Sequence, residues 1–256
     1  MKLLEVGNIL DGIFELNGRS SEEFPVYIRE RPPKNKAQRV VELTESTGVN
    51  GAILFDKQYY RNVPIKLNCF YRVNSYESIQ NIEDLITEFL DTRGKYVDFI
   101  PYWDKEFIYQ VIVTDEPIFS GTRDTMLAVP FSFSLSAKPF KLKIRGQDVI
   151  TFDRPFTIYN NERYSSDPEI KIYGNGSVTL LINGRQLKIE DINEHIIINA
   201  DPEIQEVYKE NAGILINQNN KFKSNYMPYF DPGKNEVSWV GAVSKIEVKG
   251  RWQTKL

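Results

Sequence analysis

The stretch that decides the fold is "MLAVPFSFSLSAKPFKL", residues 126–142. Its apolar residues alternate with small polar ones, and this period of two is typical of a β-strand with one apolar face. The opposite face is unusual, because it carries hydroxyl groups and no charge before Lys138. We predict that three residues on this face pack against another sheet, either in the same chain or in a second copy: Ser132, Ser134 and Ser136.

Most of the chain outside this stretch also shows strand patterns, separated by turn dipeptides. Asn183-Gly184, between two apolar runs, is the strongest hairpin signal. Gly174-Asn-Gly176 predicts a second turn of this kind. The predicted strands, besides Ala128–Ser136, are Ile53–Tyr60, Val63–Tyr71, Phe107–Thr114, Glu169–Tyr173, Ser177–Ile182, Ile196–Asn199 and Lys245–Lys249.

One segment, "NSYESIQNIEDLITEFLDTRG" (residues 74–94), has a helical period instead. Its apolar residues recur at steps of three and four, which gives one apolar stripe and an acidic outer side. Asn74 and Glu77 fit a capping box, and Gly94 fits a helix stop. We predict an amphipathic helix that covers the core face of a sheet; a helix that binds a partner is the alternative.

The length of 256 residues favours two domains. Polar and turn-forming residues become frequent in residues 143–166, so we place the boundary near residue 142. The predicted domains are residues 1–142, which contain the helix, and residues 143–256, which show strand patterns only. The predicted fold class is therefore mainly β.

Composition excludes several classes of function. The formal net charge is −3, so neither half has the basic excess that binding to nucleic acid requires. The single cysteine, Cys69, excludes an intrachain disulfide and a cysteine-based zinc site, and its place on an apolar strand face indicates a buried, inert thiol. Glu5 and Asp11 come too early for a signal peptide, and no apolar run is long enough to span a membrane. We therefore expect synthesis and folding in the cytoplasm.

The search for catalytic chemistry gives no candidate residue. The chain has one histidine, His195, near three acidic residues, but a solvated turn explains this cluster better than a metal site. A Ser-His-Asp triad lacks its usual nucleophile motif. A pair of carboxylates for glycoside hydrolysis stays possible by count alone. We predict no catalytic residue, no metal ligand and no cofactor.

Aromatic residues leave two interpretations open. Trp103, Trp239 and Trp252 lie among apolar runs, where packing in a core is the usual role. An exposed aromatic platform that stacks on sugar is the alternative.

Four sequence blocks, taken in order, resemble the distal tail protein (Dit) family of long-tailed, non-contractile bacteriophages. Together with the helix at 74–94 they cover about two fifths of the chain. The blocks are "AVPFSFSLSAKPFKL" (128–142), "IYNNERYSSDPEIKIYGNGSVTLLING" (158–184), "IIINADPEIQEVY" (196–208) and "YFDPGKNEVSWVGAVSKIEVKGRW" (229–252).

The resemblance implies a non-enzymatic structural protein with two β-sandwich domains. The first would carry the single helix; the second would be galectin-like, and its last strand would pack back on the first. Six copies would form a ring, stacked in some cases, at the tip of the virion tail. The ring would join the tail tube protein to the tail-associated lysin or fibre hub and help present receptor-binding or baseplate proteins. No nucleic acid or membrane partner is implied.

Two other functions stay open at this point. One is a carbohydrate-binding β-sandwich module of a virion or of a cell-wall-associated protein, and the other is an accessory domain of a cell-wall hydrolase. Self-association independent of sugar would favour the tail protein, whereas a monomer that sugar stabilises would favour the binding module.

Overall fold

The computed structural model describes residues 12–73, 79–120 and 128–256. The chain divides into two compact units: unit one is Met1–Lys141 with Lys255–Leu256, and unit two is Leu142–Thr254. The described part is mainly β and contains one α-helix, so the predicted fold class is confirmed.

The elements follow in chain order. Unit one contains β1 (Glu15–Leu16), β2 (Arg19–Ser20), β3 (Val26–Ile28), β4 (Arg39–Glu45), β5 (Ala52–Tyr60), β6 (Val63–Arg72), α1 (Ile79–Leu90), β7 (Val97–Ile100), β8 (Phe107–Phe119) and most of β9 (Ala128–Lys143). Unit two contains β10 (Val149–Phe152), β11 (Phe156–Asn160), β12 (Glu169–Ile182), β13 (Arg185–Ile192), β14 (His195–Asn199), β15 (Glu206–Asn211), β16 (Ile214–Asn217) and β17 (Gly233–Lys249), and is followed by β18 (Gln253–Lys255).

The large sheet of unit one has the order β2-β1-β7-β8-β9-β6-β3, with β18 also paired to β9. Its centre is the antiparallel pair of β6 and β9, which stays in register from Val63 opposite Ala137 to Arg72 opposite Ala128. Alternate residues of both strands point into one apolar cluster, as the period of two predicts.

A backbone contact joins the two ends of this sheet. The Ile28 N–H in β3 donates to the carbonyl oxygen of Gly12, three residues before β1, at 2.7 Å. A Cβ at position 12 would lie 2.3 Å from the Ile28 oxygen, so glycine is required there. The sheet therefore curls around the apolar cluster, an arrangement compatible with the predicted β-sandwich.

Helix α1 covers the apolar cluster of unit one, as its stripe predicts. Ile86, Phe89 and Leu90 are buried, and the Phe89 ring stacks on Phe24 with centroids 4.3 Å apart. The predicted capping box, Asn74 with Glu77, lies outside the described residues.

The helix ends at Leu90, four residues before the predicted stop at Gly94. Thr92 and Lys95 form a separate turn, in which the Lys95 N–H donates to the Thr92 carbonyl oxygen at 3.0 Å. Gly94 lies inside this turn with a φ of +70°. Its left-handed backbone therefore serves the turn rather than the helix end.

Unit two is organised by two long strands, β12 and β17, which pair along two stretches separated by register shifts. Glu169–Tyr173 pairs with Lys245–Lys249, and there β14 and β10 flank the pair. The other stretch, Thr179–Ile182 with Val237–Val240, is flanked by β13 and β11. Both stretches contribute to one apolar cluster, so the two strands bend to form two layers around it. This arrangement is compatible with a β-sandwich.

The bend in these strands explains a turn prediction that was wrong. Residues 174–176 do not form a hairpin turn, because β12 continues through them and pairs with β17 on both sides. A Cβ at Gly174 would lie 2.2 Å from the Ala242 carbonyl oxygen. Gly241 faces it from β17 with a φ of +127° and a Cβ position 2.6 Å from the Ser177 oxygen. The glycines permit close approach of two backbones.

The hairpin predicted at Asn183-Gly184 is confirmed. Ile182 lies opposite Arg185, and the two turn residues have φ values of +51° and +79°. Two positive φ values define the turn that matches the twist of the strands. The Asn183 side chain also donates to the Oδ1 of buried Asn235 at 2.9 Å, which fixes the turn against β17.

Cys69 lies on the inner face of β6 and is 1% exposed. Burial raises the pKa of its thiol, so the reactive thiolate is scarce. We expect iodoacetamide to label the native protein at less than about one hundredth of the rate measured in denaturant, since labelling requires opening of the core. Intact-mass spectrometry measures both rates, and rapid labelling of the native protein would contradict the buried position.

Candidate functional site

The three serines predicted to face another sheet lie on the side of the large sheet opposite its apolar cluster. All three are half-buried, and they form one row along β9. Their direct cross-strand neighbours on β6 are, in the order Ser132, Ser134 and Ser136, the residues Asn68, Lys66 and Pro64.

The serine row has polar contacts on both sides. The Asn62 side chain donates to the Ser136 hydroxyl oxygen at 3.0 Å, and the Thr114 hydroxyl donates to the Ser134 carbonyl oxygen at 3.3 Å. The row is therefore a band of small polar groups, with a single lysine beside its middle member. That another sheet covers this band stays a prediction.

A second surface of unit one is the hairpin of β4 and β5, which forms a two-stranded sheet of its own. Leu43 and Leu54 are cross-strand partners and are 63% and 59% exposed. Phe55 points to the other face and is 51% exposed. Both faces of this hairpin thus present large apolar side chains to solvent, and exposed apolar groups of this kind mark interaction sites.

Two ion pairs connect the strands of the hairpin. The Arg39 guanidinium donates to the Asp56 carboxylate, and Lys57 binds Glu42. Hydrogen bonding from Arg39 lowers the pKa of Asp56, and the Lys57 ammonium lowers that of Glu42. Both ion pairs are exposed to solvent and join β4 to β5.

The sequence interpretation predicted β5 but missed β4 and the exposure of both strands. The missed signal is "RVVELTESTGVNGAILF", in which two runs with apolar residues flank a glycine-containing turn. Their pairing could have been predicted from this pattern. Their exposure could not, because apolar alternation normally indicates a buried face.

His195 and its acidic neighbours form ion pairs and backbone contacts instead of a metal site. The Glu194 carboxylate accepts from the Lys209 ammonium at 2.6 Å, and the His195 Nε2 lies 3.0 Å from the Glu210 carbonyl oxygen. Partial burial and the nearby Lys171 lower the pKa of His195. Across residues 12–73, 79–120 and 128–256, no group of three potential ligands could hold a metal ion.

The tryptophans pack against the two apolar clusters. Trp103 lies against the cluster of unit one, and Trp239 and Trp252 lie against that of unit two. Trp252 contacts Phe230 with ring centroids 5.6 Å apart, and Trp239 contacts Phe156 at 6.5 Å. The core interpretation of these residues is therefore the one that the structure supports.

The described part of the chain has no helix long and apolar enough to cross a membrane. No protein-family model and no curated protein matches the sequence.

Solved structures do match the fold. SPP1 Dit, described as a paradigm of the hub adsorption apparatus in phages that infect Gram-positive bacteria, matches with a TM-score of 0.69 over 95% of this chain and 98% of that protein. Two structures of the activated phage P2 baseplate, with Ca and with Sr, match with TM-scores of 0.51 and 0.53 over 88% and 91% of this chain, and over 89% and 91% of theirs. Sequence identity is 10% in each comparison. The resemblance to distal tail proteins is thus confirmed at the level of the fold, and the chain has the fold of SPP1 Dit over nearly its whole length.

Proposed function

We propose that this chain is a structural subunit of a phage tail hub, and that it acts through protein–protein contacts rather than catalysis. The match to SPP1 Dit supports this function, because it extends over nearly the full length of both chains. The sequence resemblance to the Dit family also supports this function.

In the proposed assembly, six copies form a ring at the tail tip, and two such rings can stack. The ring joins the tail tube protein to the tail-associated lysin or fibre hub, and it helps present host-recognition proteins of the baseplate. The chain is made in the host cytoplasm and becomes part of the virion tail.

The exposed hairpin of β4 and β5 is the observation that carries this proposal. An isolated two-stranded sheet is marginally stable in water, and this one has no buried face of its own. Covering Leu43, Leu54 and Phe55 with a second copy removes this apolar area from water. We propose that the hairpin of one copy contacts a different surface of the next copy, since a heterologous contact of this kind can close into a ring.

The serine row supplies a second surface of the assembly. We propose that a second copy covers it, since uncharged residues are typical of the centre of an interface. Small side chains also allow two sheets to approach closely.

We expect Ser134→Glu to leave folding intact and to weaken assembly at least about tenfold. The new carboxylate would lie opposite Lys66, a favourable cross-strand pair, but would introduce a buried charge in the contact. Thermal melting tests folding, and light scattering over a dilution series tests assembly. Ser134→Ala is the matched control and should behave as the wild type. Assembly of Ser134→Glu at wild-type concentrations would exclude the serine row from the interface.

Light scattering after gel filtration, over a range of protein concentrations, tests the proposed function. A particle of six or twelve chains, unaffected by oligosaccharides, is the expected result. A monomer whose melting temperature rises with an oligosaccharide would replace this function with that of a carbohydrate-binding module.

A further inference from the structure

Unit one carries a group of cationic side chains beside a cleft, named here the basic cleft: Arg31, Lys34, Lys36, Lys141 and Lys255. Arg31 and Lys34 line the cleft, and its floor includes Trp103, Tyr109 and the first residues of β6, Val63 and Ile65. Lys141 contacts the Asp104 carboxylate, which also accepts a hydrogen bond from the Tyr109 hydroxyl.

The cations of the basic cleft repel one another. Desolvation lowers the pKa of Lys36, and the ammonium groups of Lys34, Lys141 and Lys255 lower it further. Asp104 already has two partners, whereas Arg31, Lys34 and Lys36 have exposed side chains. An anionic surface placed over the cleft would relieve this repulsion.

The outer side of α1 has the opposite charge, and is named here the acidic face: Glu83, Asp84, Glu88 and, one residue after the helix, Asp91. The segment Ile79–Leu90 has no lysine or arginine. Asp84 and Glu88 are exposed and four residues apart, so they lie on the same side and repel. Within the described residues, neither forms an ion pair.

The two surfaces lie towards opposite ends of β6. Val63 and Ile65 contribute to the basic cleft, whereas the hydroxyl of Tyr71, near the other end, donates to Glu83 of the acidic face at 2.6 Å. Tyr71 comes six residues after Ile65 in this extended strand, a distance of about 20 Å. Within a single copy, the acidic face and the basic cleft are therefore too far apart to neutralise each other.

We propose that the basic cleft of one copy binds the acidic face of α1 in the next copy. This inference rests on the self-association proposed above and names its electrostatic contact. Opposite charges at opposite ends of one strand favour a head-to-tail contact, which repeats from copy to copy until the ring closes. Such complementarity speeds association, and contacts that bring like charges together are disfavoured.

A charge-swap experiment tests the contact. Variant A is Lys34→Glu with Lys36→Glu, which removes the net positive charge of the basic cleft and Asp104 and leaves the acidic face unchanged. Variant B is Asp84→Lys with Glu88→Lys, which removes the net negative charge of the acidic face and leaves the basic cleft unchanged. We expect each variant alone to need at least about 100-fold more protein than the wild type for half-assembly. An equimolar mixture should recover assembly, as rings in which A and B alternate. Light scattering measures assembly, and native mass spectrometry counts the A and B chains.

The control is a charge change of the same size in unit two, Arg163→Glu with Lys188→Glu, which should assemble as the wild type does. Sodium chloride raised from 0.05 to 0.5 M should weaken wild-type assembly, because salt screens charge pairs. Rings formed by A alone and B alone at wild-type concentrations would overturn the contact and leave the proposed function intact. Folded variants whose mixture stays monomeric would also overturn it. A wild type that is monomeric at every concentration would overturn both proposals.

Discussion

Replacing Leu43 and Leu54 with aspartate is expected to convert the assembled protein to monomers. Both side chains are exposed in the single chain, so their replacement costs little folding stability. In the proposed ring each would be buried, and burial of a leucine is worth about 1.5–3 kcal/mol. Two leucines therefore change the affinity of each contact by between about 10² and 10⁴-fold. Light scattering at a fixed concentration gives the mass directly.

A matched control lies in the hairpin of β15 and β16. Leu215 is also 63% exposed, and it lies in unit two. Leu215→Asp removes a leucine of the same exposure and should leave the assembled mass unchanged. Equal loss of assembly in both variants would show that general solubility, and not the β4–β5 contact, controls the association. Assembly of the Leu43/Leu54 variant at wild-type concentration would remove the hairpin from the interface.

Gly174→Ala is expected to lower the free energy of unfolding of unit two by about 3 kcal/mol or more. The added Cβ would lie 2.2 Å from the Ala242 carbonyl oxygen. No change of rotamer relieves a contact between a Cβ and backbone, so the paired strands must separate at the bend. Urea denaturation followed by tryptophan fluorescence measures the change, since Trp239 and Trp252 both pack in unit two.

The control for this prediction is a glycine in open space. Gly213 has a φ of +80° and no atom within 4 Å of its ideal Cβ position. Gly213→Asn should cost less than about 1 kcal/mol, because asparagine tolerates the left-handed region. An unfolding midpoint of Gly174→Ala equal to that of the wild type would contradict the close approach of β12 and β17.

The elements that local pattern controls could be predicted from the sequence. The alternation in residues 128–136 placed β9 and its buried face, because a strand with one covered side needs this period. The apolar stripe of residues 79–90 predicted the helix. Asn183-Gly184 predicted a hairpin, because these two residue types tolerate the positive φ values that a two-residue turn needs.

Features set by distant partners could not be predicted in this way. Gly174 reads locally as a turn residue, and only its pairing with Ala242 on β17, far along the chain, shows that the strand continues. The exposure of Leu43 and Leu54 likewise cannot be predicted from the pattern, because these exposed strands have the same apolar composition as strands with a buried face. The basic cleft combines residues from positions 31, 141 and 255, which only the fold brings together.

The central claim is that this chain assembles with itself through unit one to form a tail-tip ring. Negative-stain images of the purified protein, taken from the gel-filtration fraction whose mass is measured by light scattering, test it most directly. Six-membered rings, single or stacked in pairs, with six or twelve times the mass of the chain, are the predicted result. Isolated monomers at every concentration and salt tested would contradict the claim.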